Sequence, residues 1–366
     1  MAQFVADTED FDDPEEESGT DAPVLRERLR LTVDKGQELL RIDKFLHNRI
    51  EGATRSKIQQ AVEDEMVLVN GEPIKANYKV RPGDEVLVYD TRKPESSEVI
   101  AQEMPLDIVY EDAHLLVVNK PAGMVVHPGC GNYEGTLING LAFYLGAEAL
   151  DTEDLPRVGL VHRIDKDTSG LLLIAKTPEA MTKLAAQFKA HTVHRRYIAL
   201  VWGDLPEDSG TINVPVARDL RYRKIMNVFP DGDHGSKEAI THYTVLRRFH
   251  YVTLAEMRLE TGRTHQIRVH MKSIGHPLFN DATYGGNHIV KGTVFTKYKQ
   301  FVENCFELLP RQALHARELG FIHPATGERM AFEAPVPNDI QQVLERWEIY
   351  TSGMTSQLRK GLNGAS

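Results

Sequence analysis

The sequence predicts an α+β fold, in which a mixed and mainly antiparallel sheet follows a small N-terminal α/β unit. Segments rich in β-forming residues, such as 197–202 and 252–259, are frequent, whereas segments with helical periodicity are few. The chain shows no internal repeat. It also lacks the regular alternation of strands with long helices that a parallel, doubly wound sheet requires, so an antiparallel sheet is the better interpretation.

The composition indicates a soluble globular protein. With 366 residues, of which 41% are hydrophobic, the chain is long enough for two or three domains. No apolar run approaches the roughly 20 residues needed to cross a bilayer, so we expect no membrane association and a cytoplasmic location. Cys130 and Cys305 are too few for a disulfide framework or a multi-cysteine zinc site, and both are expected to be free thiols.

The net charge of −10 is concentrated at the N-terminus. Residues 1–25 contain nine acidic residues and no Lys or Arg, while the rest of the chain contains 43 basic and 44 acidic residues. Because the rest is close to neutral, the acidity does not exclude a nucleic-acid partner, which requires only a local basic face. Residues 1–25 have too few apolar side chains to form a core, and we expect residues 1–38 to be a disordered tail and linker.

A compact unit is predicted over residues 39–90. Segment 40–50 carries apolar residues on one helical face, and Thr54 can cap a second helix. Segment 67–69 is typical of a strand, and Asn70-Gly71 is the dipeptide favoured in a tight hairpin turn. Residues 91–104 contain Pro, Ser and charged residues and are predicted to be a linker.

A larger domain is predicted over residues 105–345. Segments 106–110 and 115–119 are expected to form a hairpin, and the apolar strand 170–175 runs into a helix capped by Thr177 with Pro178 at its first position. Residues 346–366 are expected to form a frayed C-terminal tail.

The densest group of reactive side chains lies at residues 162–169, between two apolar segments. Its sequence is His162-Arg163-Ile164-Asp165-Lys166-Asp167-Thr168-Ser169. Polar residues between two buried segments lie at a rim where a pocket can form, so this segment is a candidate functional site. A purely structural interpretation also exists, because Asp, Ser and Thr side chains often bond to the backbone of turns.

A second group of basic residues lies at 258–270. Gly262 interrupts a strand, and Thr264 can cap the helix that follows. Spacing of three and four residues gives this helix two faces, an apolar one with Ile267, Met271 and Ile274, and a cationic one with His265, Arg268 and Lys272. The cationic face is a solvated surface, a phosphate contact, or the partner that keeps Asp165 ionised.

A third group, His194-Arg195-Arg196-Tyr197, runs into a strand that begins with an aromatic residue. Tyr197 either stacks on a base or is half-buried packing. His265 and His270 are five positions apart, which differs from the four-residue spacing of zinc-binding helices, and the chain contains no HExxH, CxxC or Gly-rich phosphate-binding motif. We therefore expect no metal and no nucleotide cofactor.

Residues 162–176 resemble the RluA-type pseudouridine synthases, and the resemblance extends through Arg196-Tyr197 and residues 260–270 over most of 105–345. The His-Arg-Ile-Asp core is its most specific part. The unit at 40–90 is similar to the S4 RNA-binding module that often precedes this catalytic domain. Further matching segments lie at 125–132, 284–286 and 311–316.

The resemblance implies an isomerase that converts specific uridines of large-subunit (23S-type) ribosomal RNA into pseudouridine, without a cofactor. It assigns Asp165 as a nucleophile on a flipped-out nucleotide, Arg268 as the cation that keeps it ionised, and Tyr197 as the residue against the uracil. It leaves open whether Asp165 attacks C1′ of the ribose or C6 of the base. The residues expected to bind RNA are Arg163, which fills the vacated place in the RNA, together with Arg41, Arg55, Lys57, Arg196, Arg263 and His265.

Two other functions remain possible from the residues themselves. The chain could be a non-catalytic RNA-binding factor in ribosome assembly, with Asp165 idle. Asp165 and Asp167 could instead be the acid and base of a glycoside hydrolase. Side chains two residues apart on a strand point the same way, but their Cα atoms are only about 7 Å apart, so the two carboxyl groups bracket a sugar poorly. For the preferred function we expect ribosomal RNA as the partner, a monomeric protein, and an acidic tail that lies away from the site or tunes non-specific RNA contact.

Overall fold

A computed structural model of the protein describes residues 26–50, 54–90, 99–129, 132–146, 159–222, 225–292 and 295–363. These residues belong to two compact units, which are described separately: a smaller one up to residue 90 and a larger one from residue 99. The expected disorder of residues 1–25, most of the linker and Cys130 lie outside the described residues. In the part that is described, every helix is either too short or too polar to span a bilayer.

The smaller unit packs two helices on an antiparallel sheet. Its helices are α1 (Ile42–His47) and α2 (Arg55–Glu63). The described strands form a sheet in the order β1-β4-β2-β3, with the bounds β1 Arg26–Thr32, β2 Val67–Val69, β3 Glu72–Pro73 and β4 Glu85–Asp90. The predicted hairpin turn is confirmed, because Asn70 and Gly71 between β2 and β3 have φ values of 54° and 85°, as a two-residue turn of this kind requires.

Strand β1 corrects the predicted start of this unit. It lies inside the segment that we expected to be a disordered tail and linker, and it pairs antiparallel with β4. Leu29 and Leu31 alternate with charged residues along it and pack on the core of the unit. This alternation is typical of a strand with one buried face. Because most residues of the segment are charged, the strand was not predicted from the sequence.

The larger unit is built on one mixed sheet, as predicted. Its nine described strands follow the order β5-β6-β7-β14-β8-β13-β12-β9, with β15 paired to β14. Among these pairs β7 and β14 run parallel and the others antiparallel. The strands are β5 Ile108–Glu111, β6 Leu115–Lys120, β7 Ser169–Ala175, β8 His194–Trp202, β9 Ser209–Asn213, β12 Ile240–Arg248, β13 Val252–Leu259, β14 Leu314–Ile322 and β15 Arg329–Glu333, and a separate hairpin joins β10 Val216–Arg218 to β11 Met226–Val228.

Helices cover both faces of this sheet. Side chains alternate along β8, so that Tyr197 and Ala199 pack with Ile267 of a helix on one face, while Leu200 and Trp202 pack on the other. The described helices are α3 Leu137–Leu145, α4 Pro178–Lys189, α5 Gln266–Ser273, α6 Thr296–Leu308 and α7 Asn338–Asn363. The predicted start of α4 is confirmed, because the Thr177 side chain accepts a hydrogen bond from the Ala180 amide at 3.2 Å and Pro178 follows it.

Helix α7 corrects the predicted C-terminal tail. It runs from Asn338 to Asn363, through most of the segment that we expected to be frayed. Ile340, Val343 and Trp347 recur at three- and four-residue spacing and are fully buried against the sheet and α6. The helix therefore belongs to the core of the larger unit.

Candidate active site

Asp165 lies in the short segment that leads into β7, at a tight turn in which the Thr168 amide donates to the Asp165 carbonyl at 3.1 Å. Two buried basic side chains bind the backbone of this turn, and burial lowers the pKa of one of them, Lys120, to about 7. Lys120 Nζ donates to the Lys166 carbonyl at 2.8 Å, and Arg311 Nη1 donates to the Asp167 carbonyl at 3.0 Å. Sequence reasoning assigned no role to either side chain, although both fix the backbone on which Asp165 stands.

Helix α5 brings a guanidinium to Asp165. Arg268 Nη1 donates to Asp165 Oδ2 at 3.0 Å, and His265 Nε2 lies 3.9 Å from Asp165 Oδ1. The Arg268 side chain is only 6% exposed and the Asp165 side chain 20% exposed. The carboxylate is therefore reachable from solvent, while its cationic partner is fixed inside the protein.

The charge state of Asp165 follows from this arrangement. Burial opposes ionisation, but the neighbouring charges of His265 and Arg268 and the hydrogen bond from Arg268 outweigh it, so the pKa of Asp165 is held below its ordinary value. Asp165 is accordingly a carboxylate at neutral pH. An ionised carboxylate with one oxygen free of strong hydrogen bonds is chemically suited to act as a nucleophile.

Arg268 is shared with a second carboxylate that sequence reasoning missed. Its Nε and Nη2 donate to Asp281 Oδ2 and Oδ1 at 2.8 and 3.0 Å, and Asp281 is fully buried. Burial works against the guanidinium charge, but the hydrogen bonds to Asp281 and the charges of both carboxylates raise the pKa of Arg268 above its ordinary value. A buried arginine needs buried anions, so a second acid was to be expected, but the sequence did not show which one.

His265 faces Asp165 because Tyr284 holds the other side of its ring. Tyr284 Oη lies 2.9 Å from His265 Nδ1 and accepts a hydrogen bond from the Met226 amide at 3.0 Å. This contact turns Nε2 of the His265 ring toward Asp165. His265 was predicted to bind RNA; it is only 7% exposed and lies in the pocket of the carboxylate.

The start of α5 differs by one position from the prediction. His265, with a left-handed φ of 53°, precedes the first helical residue, so Thr264 is not the cap. The Gln266 side chain instead fixes the segment before the helix, since its Oε1 accepts from the Arg263 amide at 2.9 Å. The predicted apolar face is confirmed for Ile267 and Met271, which are buried in the core.

Tyr197 is on the face of the sheet that packs against α5, in the same core cluster as Ile164. It is 7% exposed. Burial raises the pKa of Tyr197, the nearby Arg195 opposes the rise, and the charge of Asp165 adds to it. The phenol is therefore within electrostatic reach of Asp165 and is protonated at neutral pH.

The arginines expected to contact RNA divide into two groups in the larger unit. Arg163 is half-buried, and its charge helps to lower the pKa of Asp165. Arg263 is also half-buried, and its Nε donates to the Glu238 carbonyl at 3.0 Å. Arg196 does not lie near the carboxylate of Asp165. Because side chains alternate along β8, Arg196 projects from the face of the sheet opposite Tyr197. There its Nε lies 3.6 Å from a carboxylate oxygen of Glu256, and its Nη1 lies 3.5 Å from one of Glu318.

The arginines of the smaller unit converge on one buried acid. Arg41 Nε and Arg55 Nη2 lie 3.1 and 2.9 Å from the oxygens of Asp43, which is fully buried, while the two arginine side chains are 42% and 48% exposed. The pKa of Asp43 is lowered, because these hydrogen bonds and charges outweigh its burial. Lys57 belongs to α2, but its side chain lies outside the described part of the structure.

His162 has a structural role, although it belongs to the His-Arg-Ile-Asp segment that contains Asp165. Its Nε2 accepts from the Leu173 amide at 2.9 Å, and its ring stacks on Phe188 with centroids 4.6 Å apart. Burial lowers the pKa of His162 to about 3, so the ring is neutral. Among the residues that the structure describes, no group of three or more His, Cys, Asp or Glu side chains is placed to hold a metal ion.

Comparison with known proteins identifies the class. Residues 114–273 match the family model described as RNA pseudouridylate synthase, and residues 40–86 match the S4 domain. A protein of Bacillus subtilis named as an uncharacterized RNA pseudouridine synthase is 46% identical over 318 residues, which cover 87% of this chain and 97% of that protein. The chain therefore belongs to the RNA pseudouridine synthases, which are isomerases. This membership argues against both the glycoside hydrolase and the non-catalytic factor.

The resemblance extends to particular members of the family. A Pseudomonas aeruginosa protein named ribosomal large subunit pseudouridine synthase D is 42% identical over 304 residues, which cover 83% of this chain and 91% of that protein. The solved structure of human RNA pseudouridylate synthase domain containing 4 has a TM-score of 0.51 at 23% identity and covers 66% of this chain and 92% of its own, which shows the shared fold.

Proposed function

We propose that this synthase isomerises uridines of large-subunit ribosomal RNA through covalent attack by Asp165 on a flipped-out nucleotide. The observation that carries the proposal is the partly exposed carboxylate of Asp165, held ionised by the buried Arg268 at 3.0 Å. The names of relatives such as ribosomal large subunit pseudouridine synthase D support this choice of RNA. No net oxidant or reductant is required, because uridine and pseudouridine are isomers.

The chemistry needs a negatively charged oxygen at the reacting nucleotide. In attack at C1′ of the ribose, an Asp165 oxygen bonds to C1′, the glycosidic bond breaks and its electron pair leaves with N1 of uracil. The base then turns, C5 bonds to C1′ as the carboxylate departs, and the C5 proton is transferred to N1. In attack at C6, the carboxylate adds to the base before the glycosidic bond breaks. Both routes require the ionised state that Arg268 and His265 favour.

Tyr197 supplies a flat aromatic surface beside the carboxylate. Because its phenol is protonated at neutral pH, it is suited to stack on the uracil rather than to act as a base in the resting enzyme. The nucleotide must leave its helix to reach this pocket, and an unpaired guanidinium can stack in the space that it vacates. Arg163 fits that role, since its guanidinium makes no hydrogen bond or ion pair within the described residues.

RNA contacts outside the pocket are proposed for the remaining basic residues. Arg41 and Arg55 present half-exposed guanidiniums at the starts of α1 and α2, where they can contact phosphate. The proposed RNA-binding set also includes Lys57, Arg196, Arg263 and His265. In this proposal Arg196 contacts RNA on a surface other than the pocket, and His265 contacts the flipped-out nucleotide itself.

Mapping of pseudouridines in ribosomal RNA tests the function. We expect specific large-subunit pseudouridines to be absent from cells that lack this protein, to return when the wild-type chain is supplied, and to stay absent with the Asp165→Asn variant. Unchanged pseudouridines in the large-subunit RNA of the deletion cells would contradict the proposed substrate.

A further inference from the structure

Asp281 is the most heavily hydrogen-bonded carboxylate near the candidate active site. Its oxygens accept from Arg268 Nε and Nη2 at 2.8 and 3.0 Å, from the Thr283 amide at 3.0 Å and from the Tyr284 amide at 3.1 Å. It is fully buried and is separated from Asp165 by the guanidinium of Arg268. Asp281 therefore does not touch the reacting atoms.

The turn that carries Asp281 is tightly fixed. The Gly286 amide donates to the Asp281 carbonyl at 2.7 Å, and the Asn280 side chain donates to the Leu309 carbonyl at 2.6 Å. A side chain at Gly286 would place its Cβ 1.8 Å from the Leu278 carbonyl oxygen, so only glycine fits. The carboxylate of Asp281 thus has one position relative to the helix that bears Arg268.

The guanidinium of Arg268 binds the carboxylates of both Asp281 and Asp165, and different nitrogen atoms bind each of them. The edge formed by Nε and Nη2 faces Asp281, which leaves Nη1 for Asp165. Because two parallel hydrogen bonds fix the plane of the guanidinium, Nη1 cannot move from Asp165 without breaking both. Arg268 makes a single hydrogen bond to Asp165, at Oδ2, whereas the nearest charged group to Oδ1 among the described residues is His265 Nε2 at 3.9 Å, so Oδ1 is the oxygen available for reaction.

The charges explain why a second anion is useful. When Asp165 forms a bond to the nucleotide, its carboxylate becomes an uncharged ester or adduct and no longer balances Arg268. An unpaired buried cation is costly, and Asp281 is the anion that remains beside it. Arg268 can therefore stay in place through the covalent stage and meet the carboxylate again when it departs.

We propose that Asp281 is a positioning residue of the pseudouridine synthase site, which aims Arg268 at Asp165 and balances its charge while Asp165 is covalently occupied. The role rests on the proposed function of Asp165. The same turn supports the second partner of the carboxylate, because Asp281 also binds the amide of Tyr284, whose hydroxyl holds His265.

The Asp281→Asn variant tests the proposal, because Asn keeps the shape but loses the charge and one acceptor. With a large-subunit ribosomal RNA transcript as substrate, we expect kcat to fall by about 100-fold, as is typical of a misplaced catalytic group, and KM to change by less than about threefold. We also expect the acid limb of the kcat/KM profile to move, because the guanidinium that sets the pKa of Asp165 is no longer fixed by its two hydrogen bonds to Asp281. The other charged or titratable groups around Asp165 are Arg163, Lys120, Tyr197, His265 and Tyr284.

Two further variants separate positioning from stability. Asp112→Asn is a matched control in the same unit, because Asp112 accepts hydrogen bonds from two amides, Tyr110 and His323 but contacts none of the groups around Asp165. We expect it to lose stability without moving the acid limb. If Asp281→Asn does not fold, Asp281→Glu takes its place; it keeps the charge, and we expect a reduced kcat with an acid limb close to that of the wild type.

The outcomes distinguish this proposal from the proposed function. Activity of Asp281→Asn within threefold of wild type, or a loss of activity with an unmoved acid limb, would each overturn the positioning role. Wild-type kinetics in a folded Asp281→Glu would overturn it as well. Uridine conversion by Asp165→Asn would overturn the proposed function itself, whatever Asp281 does.

Discussion

Arg268 Nη1 donates to Asp165 Oδ2 at 3.0 Å, although 103 positions separate the two residues in the chain. Asp165 stands on a turn before β7, and Arg268 stands on α5 after β13, so neither local segment can form the pair alone. The candidate active site therefore exists only when the sheet of the larger unit is complete. The ion pair between Asp165 and Arg268 therefore forms only in the tertiary structure.

Replacing Arg268 is expected to impair both stability and activity. Arg268→Met leaves the carboxylates of Asp165 and Asp281 without their shared cation, which costs about 3–5 kcal/mol for a broken buried ion pair. We expect urea unfolding to show this loss and kcat/KM to fall by more than about 100-fold. Arg268→Lys is the control that keeps the charge but not the two-pronged contact, and it should retain most of the stability. Wild-type turnover by the Met variant would contradict the account.

The pKa of Asp165 gives a prediction for pH dependence. Its value in the folded protein lies below the ordinary one of about 3.9, so the contribution of this carboxylate to stability is fully present above pH 4 and is lost as pH falls through the folded pKa. Carbon-13 NMR of labelled Asp carboxyls, with the Asp165→Asn variant to assign the signal, measures this titration. A midpoint above about 4.5 would show that burial outweighs the charges of His265 and Arg268.

Gly170 is expected to be irreplaceable in β7. Its φ is 119°, and an added Cβ would lie 2.1 Å from the Ala316 carbonyl oxygen across the parallel pairing with β14. Gly170→Ala should therefore destabilise the protein by more than about 3 kcal/mol, whereas Gly327→Ala, with φ of 75° and open space around its Cβ, should cost only the 1–2 kcal/mol typical of a left-handed residue. Thermal unfolding of the two variants compares them, and equal losses would refute this interpretation of the contact.

The arginines of the smaller unit should affect RNA affinity but not chemistry. We expect the Arg41→Ala, Arg55→Ala double variant, made together with Asp43→Asn so that no buried carboxylate loses its cations, to bind ribosomal RNA more weakly and to lower the salt dependence of binding by about two phosphate contacts, while single-turnover conversion at saturating RNA stays unchanged. Arg30→Ala is the matched control, since Arg30 is an exposed arginine of the same unit paired with Glu27 and Glu85. Equal binding by both variants would argue against an RNA-binding role.

The sequence predicted the parts of the site that carry recognisable local signals. Asp165 and Arg268 stand in dense polar motifs, and the helical spacing around Arg268 showed that an apolar and a cationic face would coexist. The sequence could not distinguish a solvated cationic face from a buried one. The structure buries Arg268 and His265 and leaves Lys272 at the surface, a result that depends on which elements pack against α5.

Other features depended on contacts between distant segments. In the sequence, Asp281 belongs to an ordinary Gly-containing turn. Its hydrogen bond with Arg268 appears only in the folded structure. Arg196 directly precedes Tyr197, yet the alternation of side chains along a strand sends the two to opposite faces. Strand β1 was not predicted, because its charged residues outnumber its two leucines. These leucines become partly buried only when β4 pairs with the strand.

The Asp165→Asn variant provides the most direct measurement of the central claim. Asn keeps the size of the side chain and removes the charge that Arg268 balances, so single-turnover conversion of uridine in large-subunit ribosomal RNA reports on the carboxylate alone. We predict no detectable pseudouridine, with RNA affinity within a few-fold of the wild type. Appreciable conversion by a folded, RNA-bound Asp165→Asn protein would contradict the claim that this carboxylate carries out the reaction.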